Sequence, residues 1–500
     1  MIAQALMNIL NPTCLLLICL GVCVGIIFGS IPGLSATMAV VLFLPLSFGL
    51  EPANGISLLI GLYMGGISGG LISAILLKIP GTPSSIATVL DGGPMADKGE
   101  AGKALGAGIL YSAIGSLISI VALIYISPYL AALTLKFTPV EYFAIAIFSL
   151  SIIASLSGDS LVKGLLAGLL GIGFSLVGMA PIDAISRFTF GSFELMGGFN
   201  IIVLLVGVFA VTDIIMAGLG RKHLDDAYQK KPYHLKGFGV TLREFKEQFG
   251  NMIRSSLIGI GIGILPGIGG NVAGLLSYTA TKNASKYPEK FGTGIVDGVI
   301  ASETSNNAVI GGSLIPLLTM GIPGNTVAAV LLGGLTIHGI NLGPLIFQKS
   351  GVYVYGIFFA LIVATLAMLV FERGALPIFV KLLDVPKHIL LPIVMVCCAV
   401  GAFSSSSRVF DIWCILGFGF LGVVMKYFKI PSTPLIIGFI LGPMTEENLR
   451  RALQASAGKI SVFFTRPISL GFLVAGFLFV AYILYNKYKN NGENTLGEKE

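Results

Sequence analysis

Apolar runs about as long as a lipid bilayer is thick recur along almost the whole sequence. They lie at residues 14–29, 55–77, 105–127, 140–157, 164–180, 198–219, 252–264, 352–371, 388–403, 409–425 and 467–486. A transmembrane helix needs about 20 such residues, and shorter ambiguous runs lie between these, so the sequence predicts roughly 10–12 spans. The alternating pattern of a membrane β-barrel is absent. The fold class is therefore predicted to be all-α, as a polytopic transmembrane protein embedded in the lipid bilayer.

The composition supports a membrane protein and excludes other classes. Only 11% of the residues are charged and the mean hydropathy is +0.92, whereas about a quarter of residues are charged in soluble domains. The net charge of +7 comes mostly from lysines and arginines between the apolar runs, as in loops that set membrane orientation, so we expect no nucleic-acid partner. The six cysteines lie inside apolar runs without a CxxC pair, which predicts core residues and no metal centre.

A charged connector divides the chain into two apolar halves. Residues 220–250 contain seven lysines and arginines against four acids, and this excess predicts a cytoplasmic loop. The predicted organisation is an N-terminal transmembrane half at 1–219, the connector at 220–250, a C-terminal transmembrane half at 251–486 and a polar tail at 487–500.

Proline-glycine motifs appear in the same order in both halves. GSIPGLSAT (29–37) and GGLISAILLKIPGTPSS (69–85) correspond to GILPGIGGN (263–271) and GGSLIPLLTMGIPGNTV (311–327). The offsets between corresponding prolines are 266 − 32 = 234 and 323 − 80 = 243. Repeat-related halves of this kind are typical of secondary transporters, in which interrupted helices of the two halves meet near the bilayer midplane.

The second motif of each half cannot continue a helix, because proline lacks an amide hydrogen and glycine loosens the backbone. Such broken or re-entrant helices persist at membrane depth only around a cavity or inside protein. Hydroxyls and a carboxamide at the start of the next helix offer uncharged donors to a carboxylate, which a buried arginine would hold too tightly. Alternatively, the prolines merely kink spans and the hydroxyls bond their own backbone. The predicted substrate-binding residues are Pro80, Gly81, Thr82, Pro83, Ser84, Ser85, Pro323, Gly324, Asn325 and Thr326.

A polar run, ASETSNNA at 301–308, interrupts the second half. Its side chains and loosened carbonyls are hard oxygen ligands suited to Na⁺, and Glu303 is also suited to carry a proton. A helix cap or a short surface loop is the alternative. The predicted ion-coupling residues are Ser35, Thr37, Asn271, Ser302, Glu303, Ser305, Asn306 and Asn307. Asp91 and the charges after it are instead interpreted as a solvated helix start.

An enzyme is not expected. Gly66-Ile67-Ser68-Gly69 matches the GxSG of an intramembrane serine protease, with His338 or His388 as a base, but packing through small residues explains this short match better. The chain contains no nucleotide-binding GxxxxGK[ST]. We therefore predict no cofactor apart from a coupling Na⁺ or H⁺, with energy taken from an ion gradient or another subunit.

The motifs GSIPGLSAT, IPGTPSSIATVLDGGPMADKGEAGKALG, ILPGIGGNVAG, SETSNNAV and MGIPGNTVAAVLLGG together resemble the large membrane subunit of the tripartite tricarboxylate transporter family (TctA-like). The resemblance covers roughly residues 15 to 465. By the same match, Pro80 to Ser85 and Pro323 to Thr326 hold substrate as paired tips, and Pro32, Gly33, Pro266, Gly267 and Ser302 to Asn307 complete the core.

The resemblance implies a permease subunit of the cell inner membrane that takes up citrate, another tricarboxylate or a related carboxylate by cation symport. It also implies two partners, a small membrane subunit (TctB-like) and a periplasmic solute-binding protein (TctC-like), and an elevator mechanism. A carboxylate channel or exporter on the same scaffold is the alternative function.

Overall fold

The computed structural model of the chain describes residues 1–31, 34–151, 160–219, 239–266, 269–382, 396 and 408–497. These residues are almost entirely helical, with one two-stranded antiparallel hairpin that pairs Gly178 with Arg187 and Met179 with Ser186. The predicted all-α polytopic fold class is confirmed.

The helices before the connector alternate between long and short. They are α1 (Ile2–Ile9), α2 (Pro12–Ser30), α3 (Ala36–Phe48), α4 (Pro52–Leu76), α5 (Ile86–Asp97), α6 (Ala101–Thr134), α7 (Pro139–Ser151), α8 (Leu161–Ser175), α9 (Ile201–Leu205) and α10 (Thr212–Leu219). A π-helical segment, Val206–Val211, joins α9 to α10. The strands are β1 (Gly178–Met179) and β2 (Ser186–Arg187), and 3₁₀ turns lie at Pro83–Ser85 and Glu194–Gly197.

The helices after the connector follow a similar order. They are α11 (Leu242–Glu247), α12 (Phe249–Ile264), α13 (Gly269–Ala284), α14 (Val296–Met320), α15 (Thr326–Ile337), α16 (Ile346–Lys349), α17 (Gly351–Gly374), α18 (Leu376–Leu382), α19 (Val409–Tyr427), α20 (Ser432–Ala455), α21 (Val462–Thr465) and α22 (Pro467–Gly497). A 3₁₀ turn lies at Pro288–Lys290.

Contacts group the chain into two compact units. Unit 1 consists of Met1–Thr134 and Leu205–Val423, and unit 2 of Leu135–Leu204 and Val424–Glu500. Within unit 2, α20 packs against α7 and α8, and Arg466 forms a 3.0 Å ion pair with Glu141. Unit 1 contains every predicted site residue that the structure describes. The division of the sequence into repeat-related halves concerns ancestry rather than contacts, and it stays a prediction.

Six helices of the described chain are long and apolar enough to cross a membrane by length and composition: α2, α4, α6, α17, α19 and the Pro467–Tyr485 part of α22. The predicted run at 164–180 extends too far, because α8 ends at Ser175, and the run at 388–403 lies outside the described residues except for residue 396. The sequence missed the 25-residue helix α14, whose polar residues lower its hydropathy. Its buried middle needs no lipid-facing apolar surface.

Glycines set how closely the helices of unit 1 approach one another. A Cβ on Gly25 of α2 would meet the carbonyl oxygen of Leu62 in α4 at 2.6 Å, and a Cβ on Gly259 of α12 would meet that of Ser305 in α14. The offsets are 259 − 25 = 234 and 305 − 62 = 243, the same two offsets that relate the proline-glycine motifs. The α2–α4 pair and the α12–α14 pair therefore make the same contact, which supports the predicted repeat.

Replacing Gly263 with alanine tests this packing. A Cβ there would lie 2.8 Å from the carbonyl oxygen of Val309 and 2.9 Å from the Cα of Gly312. We expect overpacking to lower the free energy of unfolding by about 1–3 kcal/mol, measured by thermal unfolding in detergent. Gly261 of the same helix has no atom within 4 Å of its Cβ position, so Gly261→Ala should be neutral or stabilising by up to about 1 kcal/mol. Equal losses in both variants would contradict the packing argument.

Candidate functional site

The first tip, residues 80–85, follows the end of α4. Pro80 and Gly81 leave the helix axis, and Pro83–Ser85 form the 3₁₀ turn that leads into α5. The sequence also allowed the alternative that the hydroxyls bond their own backbone. This is partly observed, because Ser85 Oγ donates to the carbonyl oxygen of Thr82 at 2.9 Å. The hydroxyls of Thr82 and Ser84 lie 3.0 Å apart, and both side chains are buried.

The second tip, residues 323–326, follows α14 in the same way. Gly321 ends the helix with φ +73°, Pro323 and Gly324 form the break, and Thr326 begins α15. Asn325 caps α15, since its Oδ1 accepts a hydrogen bond from Ala328 N–H at 2.8 Å. The predicted break and helix start are present at both tips.

Matching contacts anchor the glycines of the two tips. A Cβ on Gly81 would meet the carbonyl oxygen of Gly29 and the Cα of Gly70, the latter at 3.0 Å. A Cβ on Gly324 would meet the carbonyl oxygen of Gly263 and the Cα of Ser313, the latter at 2.7 Å. Gly29 and Gly263 belong to the last turns of α2 and α12, where carbonyl groups lack a partner inside the helix. Each tip thus packs on the end of a preceding helix.

Both tips lie against the start of α13. A Cβ on Gly270 would lie 3.1 Å from the Cβ of Ser84 in the first tip, and a Cβ on Gly269 would lie 3.9 Å from the Cβ of Asn325 in the second. The adjacent residues Gly269 and Gly270 therefore lie near Asn325 and Ser84, which are 241 positions apart in the sequence (325 − 84). Asn306 of α14 also reaches this point, with Oδ1 2.5 Å from the Cβ position of Gly270.

Tyr63 of α4 joins the second tip from the other half of the sequence. Asn325 Nδ2 donates to the Tyr63 hydroxyl at 2.7 Å, and that hydroxyl lies 3.0 Å from the hydroxyl of Ser313. Tyr63 is fully buried. This role could not be identified from the sequence, because an isolated tyrosine in an apolar run is an ordinary core residue.

The polar run at 301–308 lies in the middle of α14, and every residue in it is buried. The predictions of loosened carbonyls, of a helix cap and of a surface loop are therefore wrong. Because α14 is surrounded by other helices of unit 1, polar side chains can line it without facing lipid.

Glu303 collects three donors from separate helices. Its Oε1 accepts from Thr88 Oγ1 of α5 at 2.5 Å, and its Oε2 accepts from Ser112 Oγ of α6 at 3.2 Å and from Asn307 Nδ2 at 3.4 Å. Ser302 lies within 3.0 Å of the Thr88 hydroxyl. The structure thus brings Ser302, Glu303 and Asn307 together, and sequence reasoning missed Thr88 and Ser112 as their partners.

The remaining predicted ion-coupling residues are dispersed. Ser305 bonds back to the carbonyl oxygen of Ala301 at 2.9 Å, and Ser35 caps α3 through Met38 N–H at 3.1 Å. Thr37 is buried in α3, whereas Asn271 is exposed at the start of α13. Pro266 precedes that helix, while Pro32, Gly33 and Gly267 lie outside the described residues. In the described part of unit 1, no hydrogen bond links Ser35, Thr37 or Asn271 to Glu303.

Asn306 makes no hydrogen bond of standard geometry through its carboxamide within the described chain, although it interacts with the Glu303 carboxylate at longer range. The side chain is 1% exposed. A buried carboxamide with weak partners costs free energy, and the Oδ1 of this one approaches Gly270 at the start of α13.

Asp91 corrects the prediction of a solvated helix start. It is fully buried in α5, and its Oδ1 accepts hydrogen bonds from the backbone N–H groups of Gly292, Gly294 and Ile295 at 2.7–3.1 Å. Its Oδ2 accepts from the Tyr278 hydroxyl at 2.9 Å. Asp91 therefore fastens the helix after the first tip to α13 and to the segment before α14.

The structure offers little to a hydrolase. Ser68 is buried and donates to Glu372 Oε2 at 2.9 Å, whereas His338 lies 3.3 Å from the Ser47 hydroxyl. The other proposed base, His388, lies outside the described residues. Gly66 and Gly69 pack tightly against Ala36 and Ile26, as the explanation from small-residue packing predicts.

Comparison with known families agrees with this architecture. The family model of the tripartite tricarboxylate transporter TctA family matches residues 15–437. The chain belongs to that family. It is therefore a multi-pass membrane protein of a transporter family, and its predicted tips and polar run lie inside the matched region.

Two proteins of one bacterium are similar in sequence to this chain. An "Uncharacterized 52.8 kDa protein in TAR-I ttuC' 3'region" of Agrobacterium vitis is 34% identical over 482 residues, which is 96% of this chain and 95% of that protein. An "Uncharacterized protein in TAR-II ttuC' 3'region" of the same organism is 34% identical over 239 residues, 48% of this chain and 99% of that protein. No solved structure matches the chain.

Removing the Asp91 carboxylate should destabilise unit 1. In Asp91→Ala, three buried N–H groups and a tyrosine hydroxyl lose a charged acceptor, so we expect a loss of about 3 kcal/mol or more in the free energy of unfolding. Asp97→Ala is the matched control, because Asp97 pairs with Lys78 at an exposed site and should cost less than about 1 kcal/mol. Thermal unfolding in detergent measures both, and a loss in Asp91→Ala no larger than in the control would contradict the assignment.

Proposed function

We propose that this chain is the large permease subunit of a tripartite secondary transporter that takes up a tricarboxylate or a related carboxylate. Membership of the TctA family supports this role. The observation that carries it is that two uncharged tips both approach the start of α13, one at Gly270 and the other at Gly269. Asn325, Ser84 and the start of α13 supply polar groups there.

An uncharged site suits a transported anion. Helix starts present free N–H groups and the positive end of the helix dipole, which together bind carboxylates. The basic residue closest in sequence to the first tip, Lys78, forms an ion pair with Asp97 instead of reaching the tip. A site without a fixed positive charge binds the anion without trapping it.

The Glu303 cluster is the proposed coupling site. It joins α14, which ends at the second tip, to Thr88 of α5, which follows the first tip. A cation bound there acts on both tips at once. Either Na⁺ or H⁺ fits the donor set of carboxylate, hydroxyl and carboxamide oxygens.

The complete transporter is proposed to work in the inner membrane with a small membrane subunit and a periplasmic binding protein that delivers substrate. Reconstituting the three proteins in vesicles tests the function. We expect citrate or another carboxylate to accumulate against its own gradient when a cation gradient is imposed. Equilibration without accumulation would instead identify a channel, and loss of substrate from loaded vesicles against its gradient would identify an exporter.

Asn325→Asp should abolish carboxylate uptake while retaining the cap of α15. The new carboxylate is an equivalent acceptor for Ala328 N–H, but it repels the substrate by about 4 kcal/mol at 4 Å in a protein-like dielectric. Initial uptake should fall at least about tenfold, the change expected for about 1.4 kcal/mol. Asn448→Asp, which adds the same charge to α20 in unit 2, is the control and should transport normally. Uptake by Asn325→Asp at the wild-type rate would exclude the second tip as a substrate contact.

A further inference from the structure

Glu372 is a buried acid that the proposed substrate and coupling sites leave unused. It lies near the end of α17, a candidate membrane span, and is 0% exposed. Ser68 of α4 donates to its Oε2 at 2.9 Å. Its Oε1 is also buried but has no hydrogen-bond partner within the described residues.

Other buried acids of this chain are better compensated. Glu141 accepts hydrogen bonds from Arg466 and from both the N–H and the hydroxyl of Thr138. Asp411 pairs with Arg408 at 2.9 Å, and Asp91 has four donors. A carboxylate with a single hydroxyl donor and no cation loses far more solvation than it regains, so Glu372 is more stable as a neutral carboxyl.

Within the described part of the chain, the helices that pack against α17 supply no charge that compensates Glu372. Helix α17 packs against α1, α2, α4, α6, α16 and α18, and the first three contain no Asp, Glu, Lys, Arg or His. Their titratable groups, and those of α6 apart from Lys103, are cysteines and tyrosines, which are neutral near pH 7. Another acid, Glu303, lies within electrostatic range of Glu372.

The basic residues of this neighbourhood lie elsewhere. Lys103 forms a 2.7 Å ion pair with Glu244, and this pairing lowers the pKa of Glu244 to about 2. Lys349 of α16 precedes the opposite end of α17, and Arg373 is exposed. The side chain of Lys381 in α18 lies outside the described residues.

A metal cation does not fit the same place. Hard cations take several oxygen ligands, whereas Ser68 Oγ is the side-chain oxygen that the described residues place in hydrogen-bond contact with the Glu372 carboxylate. The backbone carbonyls of α4 around Ser68 are inside that helix. A proton needs a single oxygen, and the unpartnered Oε1 provides it.

We propose that Glu372 is a proton-binding site, separate from the Glu303 cluster, whose occupancy is linked to the first tip. This inference rests on the proposed transport function. An O–H bond forms at Oε1 when a proton arrives and breaks when it leaves, while Ser68 continues to donate to Oε2. The link runs through α4, because Gly70, two residues after Ser68, packs against the Thr82 side chain, whose Oγ1 lies 2.5 Å from the Cβ position of Gly70.

Infrared difference spectroscopy of the purified full-length chain tests proton binding without any transport assay. We expect a protonated-carboxyl band that shifts in D₂O, bleaches as the pH is raised from mildly acidic to mildly alkaline, and is missing in Glu372→Gln. Glu141→Gln, which removes a buried but arginine-paired acid, should keep the band. Ser68→Ala removes the hydroxyl that donates to Oε2, so it should shift the carboxyl band. This variant provides the test if Glu372→Gln fails to fold.

Two spectroscopic outcomes would overturn the proposal. One is a spectrum that Glu372→Gln and Ser68→Ala leave unchanged. The other is a band that stays constant at every pH, which would make Glu372 a permanently neutral structural residue.

Uptake by the reconstituted three-protein system tests the link to transport. Glu372→Gln should lose accumulation driven by a proton gradient yet retain exchange of internal for external substrate, because exchange needs no net proton movement. Accumulation at the wild-type level in this variant would overturn the link. If wild-type vesicles take up no carboxylate while the Glu372 band titrates, the proposed function fails and the proton site stands.

Discussion

Backbone that leaves a helix within a membrane must find its partners inside the protein, and unit 1 is built around this requirement. Both tips meet it in the same way. Gly81 and Gly324 lie against carbonyl groups at the ends of α2 and α12. The oxygens of these carbonyl groups accept no hydrogen bond within their own helices. At such short range, Cα–H groups can interact weakly with carbonyl oxygens. The position of each tip thus depends on the absence of a side chain.

Local chemistry made the tips predictable. Proline and glycine break helices wherever they occur in this pattern, so the breaks at Pro80 and Pro323 and the helix cap at Asn325 could be identified from sequence. The offsets of 234 and 243 were found between motifs in the sequence, and the packing of Gly25 and Gly259 repeats them. What these residues bind was not determined by the same pattern and stays a prediction.

Contacts between distant segments were not predictable. Tyr63 meets Asn325 across 262 positions, Thr88 meets Glu303 across 215, and Ser68 meets Glu372 across 304. Each is an unremarkable residue in its own segment, and only the folded arrangement of α4, α5, α14 and α17 makes it a partner. Hydropathy did not identify α14, because the other helices bury it and its surface does not need to be apolar.

The hydrogen bonds of Asp91 have a further consequence for motion. Asp91 accepts hydrogen bonds from three backbone N–H groups in the segment at 292–295. These bonds link α5 directly to the chain just before α14. Under the proposed function, this link makes the first tip and the helix that carries Glu303 move together during a change of access. The proposed substrate site and the proposed cation site are then exposed to the same side of the membrane at the same time.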